Sequence, residues 1–167
     1  LLAATNQGFF MQKENGFKLY QHIIHDENSP RYDDILSLHQ DSHGFIWIGT
    51  RNGLDIYNPN ENVFKHPLIK VDTSKPLYIY DISEDSEKNI LLSTRYHGLI
   101  IFNNGNVSDI SQYNKEKSDL KGNWVNTTIE ESPGVYWLSI RDGGLTRLNT
   151  RNNIVYTLSP DKTEPYK

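Results

Sequence analysis

The stretch Ile46-Trp47-Ile48-Gly49-Thr50-Arg51-Asn52-Gly53-Leu54 occurs three times in this chain with small changes. The second copy is Ile90-Leu91-Leu92-Ser93-Thr94-Arg95-Tyr96-His97-Gly98-Leu99, and the third is Tyr136-Trp137-Leu138-Ser139-Ile140-Arg141-Asp142-Gly143-Gly144-Leu145. A worn copy, Leu1-Leu2-Ala3-Ala4-Thr5-Asn6-Gln7-Gly8-Phe9, opens the chain. The anchoring glycines, spaced 45, 45 and 46 residues apart, are Gly8, Gly53, Gly98 and Gly144. Such a period is typical of units that bury their apolar faces by stacking on copies of themselves.

Each of the three full copies has the composition of four short strands joined by tight turns. In the copy at 33–66 the predicted strands are the apolar run at 35–38, then 45–50, 54–57 and 63–66. Phe45–Thr50 is rich in aromatic and β-branched residues, and Leu54–Tyr57 alternates apolar and polar residues. Turn signals stand at Asp41–Gly44 and Asn58–Asn62. The predicted strands of the other copies are 79–84, 89–94, 99–102 and 107–110, then 125–130, 135–140, 145–148 and 154–158, with 1–5, 8–12 and 17–21 in the worn copy.

The pattern predicts an all-β fold made of β-propeller blades, each a four-stranded antiparallel meander repeating about every 45 residues. Apolar residues on successive positions of Phe45–Ile48 indicate a strand that is buried on both faces, as stacked blades require. A sandwich or an open meander is the competing architecture, but a sandwich needs no strict period. The single domain, 1–167, is divided into a partial blade at 1–24 and blades at 33–66, 78–110 and 124–158.

Fifteen predicted strands make about three and a half blades, which is an incomplete ring. The tail Ser159–Lys167 contains Pro160 and Pro165 and does not resemble the missing strand. Because an open propeller exposes sheet surface, we expect the chain to be a slice of a larger propeller. We also expect residues 1–167 alone to be marginally stable or oligomeric.

The composition excludes several functional classes. Lys and Arg number 17 against 21 Asp and Glu, a formal net charge of −4, which argues against a nucleic-acid-binding surface. No run of about 18 apolar residues is present, so we expect no membrane span in this segment. Cysteine is absent, which excludes disulfides, thiolate metal sites and a cysteine nucleophile.

The pattern Asp-x-x-Gly-x-x-Trp-Ile-Gly-Thr-x-x-Gly-Leu, from Asp41 to Leu54, resembles the two-component-regulator propeller repeat. The third copy carries a close relative of it at 134–145, whereas the second departs at Leu91, at Ser93 and in the extra residue of Tyr96-His97. The resemblance implies a periplasmic sensor domain, part of an inner-membrane receptor with a histidine kinase in the parent chain. It further implies a seven-bladed ring, a homodimer in the full receptor and, for many such receptors, sensing of complex glycans.

Three arginines in register are the candidate ligand-binding residues. In a propeller, Arg51, Arg95 and Arg141 fall in the loops between second and third strands on one face, with Asn6 at the same position of the worn copy. Their guanidinium groups could form an anion-binding rim for carboxylate or sulfate. The alternative is an exposed turn residue that pairs with an Asp of a neighbouring blade.

Aromatic residues beside these arginines could add a sugar-stacking surface. Tyr96, His97 and Trp124 are the candidates, and packing between blades is the alternative. Trp47 and Trp137 occupy the same mid-strand position, so we expect both in the core.

No metal site, cofactor or catalytic group is predicted. His22 and His25 would point to opposite faces of a strand, and Asp81, Asp85 and Asn89 lack the fixed glycine and glutamate of an EF-hand loop. We expect no enzymatic activity in this segment.

The leading functional hypothesis is an extracytoplasmic, ligand-binding sensor segment of a bacterial two-component receptor, with an oligosaccharide as the candidate ligand. The first alternative is a propeller scaffold for protein interaction or dimerisation. The second is a propeller lyase or glycosidase, which would need an acid/base cluster that the sequence does not reveal.

Overall fold

A computed structural model describes residues 1–158, which form fifteen strands; the tail Ser159–Lys167 lies outside the described residues. The first sheet contains β1 (Leu2–Thr5), β2 (Gly8–Lys13) and β3 (Gly16–Tyr20). The second sheet contains β4 (Ile35–Gln40), β5 (Ile46–Thr50), β6 (Gly53–Asn58) and β7 (Val63–Lys65). The third contains β8 (Ile79–Glu84), β9 (Ile90–Thr94), β10 (Leu99–Phe102) and β11 (Ile110–Tyr113). The fourth contains β12 (Val125–Ser132), β13 (Val135–Ile140), β14 (Gly144–Asn149) and β15 (Ile154–Leu158).

Every sheet is an antiparallel meander in which strands that are neighbours in sequence pair with each other. The sheets stack in chain order, because β1 contacts β4, β4 contacts β8, and β8 contacts β12. The predicted fold class, propeller blades in an open array, is confirmed.

One predicted strand is wrong in position. The sequence predicts a strand at 107–110, whereas β11 begins at Ile110 and ends at Tyr113. Two consecutive turns occupy the intervening residues: the Asn106 N–H donates to the Asn103 carbonyl at 2.9 Å, and the Asp109 N–H donates to the Asn106 carbonyl at 2.9 Å. These turns replace the predicted strand, and Asn and Asp are residues that favour turns.

Both faces of the inner sheets are buried, as the apolar run in each second strand predicts. All five residues of β9 are buried, and its adjacent leucines point in opposite directions. Leu92 packs in the cluster shared by the second and third sheets, and Leu91 packs in the cluster shared by the third and fourth. Each large side chain buried in this way contributes about 1.5–3 kcal/mol, so each sheet depends on its neighbours.

The two in-register tryptophans differ in burial. Trp47 is 3% exposed and packs with Phe102 of the next sheet, as predicted for the core. Trp137 is only partly buried, because alternate residues of β13, namely Tyr136 and Leu138, face the third sheet. The core prediction is therefore correct for Trp47 and wrong for Trp137.

The anchoring glycines of the repeat join neighbouring sheets through their backbone. The N–H groups of Gly8, Gly53 and Gly98 donate to the carbonyls of Asp33, Leu77 and Asn123 at 2.7, 2.9 and 3.0 Å. In each pair the acceptor lies two residues before the first strand of the next sheet. A Cβ at Gly98, where φ is +75°, would lie 2.0 Å from the Tyr113 carbonyl oxygen, so this approach requires glycine.

A serine and a glutamate form a second recurring contact between sheets. The carboxylate of Glu84, at the end of β8, accepts hydrogen bonds from the Ser42 N–H at 2.8 Å and the Ser42 hydroxyl at 2.6 Å. Glu130 of β12 accepts the same two bonds from Ser86, also at 2.8 and 2.6 Å. In the second and third sheets, the turn after the first strand is therefore fixed to the first strand of the next sheet.

The turn that holds this serine is itself organised by a buried carboxylate. Asp41 accepts hydrogen bonds from the backbone N–H groups of His43 and Phe45, both at 2.9 Å, and from the Trp47 indole at 2.7 Å. Asp85 is its equivalent in the third sheet and accepts the Tyr136 hydroxyl of the fourth sheet at 2.7 Å. The aspartate therefore couples turn geometry to core packing.

Replacing Asp41 by alanine removes three acceptor contacts and leaves the buried Trp47 indole N–H without a partner. We expect Asp41→Ala to lower the free energy of unfolding by about 2–3 kcal/mol, measured by urea denaturation. Asp119→Ala, at an exposed aspartate, is the control and should change stability by less than about 0.5 kcal/mol. Equal effects of the two variants would contradict this assignment.

The serine–glutamate contact should contribute equally in both places where it occurs. We expect Glu84→Ala and Glu130→Ala each to lower the free energy of unfolding by about 1–2 kcal/mol, since each removes two hydrogen bonds to a charged, partly exposed group. Glu61→Ala, at an exposed turn position, is the matched control. A neutral effect of either substitution would show that the contact is not a repeated stabilising element.

Candidate ligand-binding site

The fold places each in-register arginine beside the residue that directly precedes the first strand of the same sheet, which we call the entry residue. Arg51, Arg95 and Arg141 directly follow the second strands β5, β9 and β13. Antiparallel pairing sets the ends of these strands opposite the starts of the first strands, with the pairs Ile35–Thr50, Ile79–Thr94 and Val125–Ile140. The residues just before the first strands are Asp34, Tyr78 and Trp124.

The entry residue determines what each arginine side chain contacts. The Arg51 guanidinium forms an ion pair with Asp34 of its own sheet. That pairing is the kind of contact left open by the sequence, except that the carboxylate belongs to the same sheet and not to a neighbouring one. The charge of Arg51 is therefore compensated locally.

Arg95 and Arg141 meet aromatic rings at the equivalent positions. The guanidinium carbon of Arg141 lies 4.0 Å from the Trp124 ring, and that of Arg95 lies 4.3 Å from the same ring and 5.5 Å from the Tyr78 ring. These are cation–π distances. Two arginines from adjacent sheets thus converge on one indole, whereas Arg51 stands apart from them with Asp34.

No carboxylate of residues 1–158 compensates the positive charge of these two arginines. Within residues 1–158, neither Arg95 nor Arg141 forms an ion pair. The Arg95 Nε and the Trp124 Nε1 are buried and have no hydrogen-bond partner in the described part of the protein. Buried donors in folded proteins are normally satisfied, so these two donors are unusual.

Further aromatic rings extend this group. Tyr80 stacks on Trp124 with ring centroids 5.8 Å apart and an interplanar angle of 12°. Tyr96 lies 5.0 Å from the Arg95 guanidinium carbon and 5.8 Å from the Tyr78 ring. We refer to these six residues as the arginine–tryptophan cluster: Tyr78, Tyr80, Arg95, Tyr96, Trp124 and Arg141. Guanidinium groups offer paired donors to carboxylate or sulfate, and flat rings offer stacking surface.

His97 lies outside the cluster in a buried position. It is 2% exposed, and its backbone N–H donates to the Thr94 hydroxyl at 3.0 Å. Burial lowers the pKa of His97, and the backbone carbonyls of Lys75 and Pro76 and the charge of Asp72 oppose that shift. Its Nε2 has no hydrogen-bond partner among the described residues.

Sequence reasoning identified Arg95, Arg141, Tyr96 and Trp124 but missed Tyr78 and Tyr80. Tyr78 could have been predicted from its position in the repeat, since Tyr78 and Trp124 each directly precede a first strand. Tyr80 sits at a β-bulge between Ile79 and Asp81, a feature that redirects a side chain and that has no clear sequence signature.

The histidine and acidic residues considered for metal binding do not form a site. No group of three or more His, Cys, Asp or Glu side chains in residues 1–158 could hold a metal ion. His22 instead places its Nδ1 2.8 Å from the Pro30 carbonyl oxygen, in the connection between the first two sheets. In the same range, no helix is long and apolar enough to cross a membrane.

Several solved structures share this fold. One is the extracellular domain of BT3049 from B. thetaiotaomicron, assigned as a hybrid two component system (19% identity, TM-score 0.77), where the match covers 94% of this chain and 23% of that one. A second is the extracellular domain of BT4673 from the same organism, assigned as a one component system (20% identity, TM-score 0.77, 97% and 24% covered). A third is PorZ, a surface component of the type-IX secretion system of Porphyromonas gingivalis (18% identity, TM-score 0.59, 72% and 18% covered).

The chain therefore spans about a quarter of the length of the first two structures. No curated protein matches it. The family model of the two component regulator propeller matches residues 29–52, which include most of the stretch Asp41–Leu54 that carries the predicted resemblance. The predicted resemblance is confirmed over residues 29–52, which match the two component regulator propeller model.

Proposed function

We propose that this chain is the ligand-binding sensor segment of a bacterial membrane-bound two-component receptor, and that the arginine–tryptophan cluster binds an acidic group of an oligosaccharide. The observation that carries the proposal is the convergence of Arg95 and Arg141 on Trp124 without a compensating carboxylate in residues 1–158. The cationic groups would hold a carboxylate or sulfate, and the tyrosines would stack on sugar rings.

The receptor context of the proposal draws on the matching structures. BT3049 and BT4673 are extracellular domains of two component and one component systems, which supports an extracytoplasmic, periplasmic position for this segment. We extend this to an inner-membrane parent protein that carries a histidine kinase and acts as a homodimer, with the remaining blades of a larger propeller. The segment itself would be non-enzymatic.

The position of the cluster suggests how binding would be transmitted. Arg95 belongs to the turn after β9 in the third sheet, and Arg141 and Trp124 belong to the fourth sheet. An anion held by both arginines would therefore connect two sheets. A ligand shifts an equilibrium only through unequal affinity for two states, so binding across this junction would favour one relative arrangement of the blades.

The arginine pair can be tested with one acidic probe, tetragalacturonate, in calorimetric titrations of residues 1–167. We expect Arg95→Ala and Arg141→Ala each to weaken binding by about tenfold or more, because each removes charge-assisted hydrogen bonds. Arg151→Ala, at an exposed arginine that pairs with Glu87, is the matched control and should bind normally. The neutral maltotetraose should bind at least about tenfold more weakly than the acidic probe.

Three results would contradict the proposal: no binding of the acidic probe, equal binding of the neutral one, or unchanged affinity in both cluster variants. Arg51→Ala tests the remaining in-register arginine. Because Asp34 already pairs with Arg51, we expect this substitution to change affinity less than Arg141→Ala does.

A second candidate function, a scaffold for association, is favoured by apolar side chains on the two end sheets. Phe17 and Leu19 of the first sheet are 56% and 37% exposed, and Ile129 and Leu145 of the fourth are 65% and 45% exposed. Exposed apolar surface of this kind commonly marks an interaction site. In a larger propeller, neighbouring blades would cover these faces.

If the end sheets mediate association, residues 1–167 should self-associate with rising concentration, and Ile129→Lys should reduce that association, because it places a charge on the exposed apolar face. Sedimentation velocity over a hundredfold concentration range measures both effects. Arg95→Ala should leave association intact. A monomer with a sharp, concentration-independent thermal transition would contradict both the scaffold function and the expectation that the isolated segment is marginal or oligomeric.

A further inference from the structure

A polar cavity of about 420 Å³ lies directly beside the arginine–tryptophan cluster. It is enclosed by the connection between the second and third sheets, by the turn after β9, and by the connection that follows β11. Tyr96 belongs to both features, because it lines the cavity and also lies against Arg95. The cavity and the cluster are therefore parts of one continuous surface.

The charged groups of the cavity leave an excess of positive charge. Lys70, Lys75 and Lys117 line it, and none of them forms an ion pair within residues 1–158. The Lys75 Nζ lies 5.6 Å from the Tyr96 ring, on which Arg95 also packs. The Lys117 Nζ donates to the Gln112 Oε1 at 2.6 Å, and the Gln112 amide donates to the His97 carbonyl at 3.0 Å.

The two carboxylates of the cavity are already engaged. Asp72 accepts hydrogen bonds from the Ser74 N–H at 2.9 Å and the Ser74 hydroxyl at 2.7 Å. Glu116 accepts bonds from the Asn123 amide at 3.1 and 3.0 Å. The charge of Lys75 helps to lower the pKa of Asp72, but neither carboxylate forms an ion pair with a lysine within residues 1–158, so the lysine ammonium groups can donate to an added anion.

A buried histidine with one unpartnered ring nitrogen supplies the independent indication of a ligand. His97 lines the cavity and is only 2% exposed. Its Nε2 has no hydrogen-bond partner in the described residues. A buried polar atom without a partner is energetically unfavourable, and a hydroxyl or carboxylate entering the cavity would offset that cost. The residues around Tyr96 thus combine cations, a stacking ring and a free hydrogen-bonding group.

We infer that this cavity is a second anion subsite, and that the chain binds two consecutive acidic units of one ligand, one on each side of Tyr96. This inference rests on the proposed function and refines its substrate class from an acidic sugar to an acidic oligomer. Arg95 and Arg141 hold one acidic unit, Lys75 and Lys117 hold the next, and Tyr96 stacks between them.

The test compares galacturonate, which carries one carboxylate, with tetragalacturonate by calorimetric titration. We expect Lys75→Ala combined with Lys117→Ala to weaken tetragalacturonate binding by about tenfold or more and to change galacturonate binding by less than about twofold. The control is Lys13→Ala combined with Lys65→Ala, which removes the same charge from exposed positions outside the cavity. His97→Gln, which removes the unpartnered Nε2, should also weaken tetramer binding selectively.

The outcomes separate the two proposals. Tetramer binding that depends on Arg95 and Arg141 but is insensitive to the lysine pair overturns the second subsite and leaves the proposed function in place. An equal loss in the Lys13 and Lys65 control shows long-range electrostatics only and also overturns it. If neither probe binds, the proposed function fails and the inference fails with it.

Discussion

The structure depends on one constraint: a twisted sheet that is apolar on both faces must be covered on both sides. β9 meets this constraint in its simplest form, since Leu91 and Leu92 point in opposite directions and pack against different neighbours. The glycine N–H bonds to the next sheet and the serine–glutamate contacts then fix the stacking geometry at both ends of the blade. A sheet in this array is therefore stable only as part of a series.

The candidate site arises from the same regularity. In each sheet, the end of the second strand pairs with the start of the first strand. An arginine therefore lies next to the entry residue in three consecutive sheets. The entry residue then changes from Asp34 to Tyr78 and Trp124. A carboxylate neutralises the arginine, whereas an aromatic ring positions it and leaves its charge available. A change of the entry residue on the same backbone thus gives a structural ion pair at Arg51 and a candidate binding surface at Arg95 and Arg141.

The sequence predicts the fold well because the period, the glycines and the doubly apolar strands all reflect contacts that recur in every sheet. The strand predicted at 107–110 does not form there, because residues 103–109 make hydrogen-bonded turns in place of strand pairing. Arg95, Arg141 and Trp124 can be selected by register, but their convergence depends on the spacing between two sheets. The cavity at His97 depends on two long connections, whose conformation has no repeat to guide prediction.

Native-state hydrogen exchange followed by mass spectrometry tests the stacking constraint most directly. If each sheet is stabilised by the neighbours that cover it, amides in β9 should exchange slowest, and those in β2 of the first sheet and β14 of the fourth should exchange at least about tenfold faster. Uniform protection across all four sheets, or faster exchange in β9 than in β2 and β14, would contradict the account.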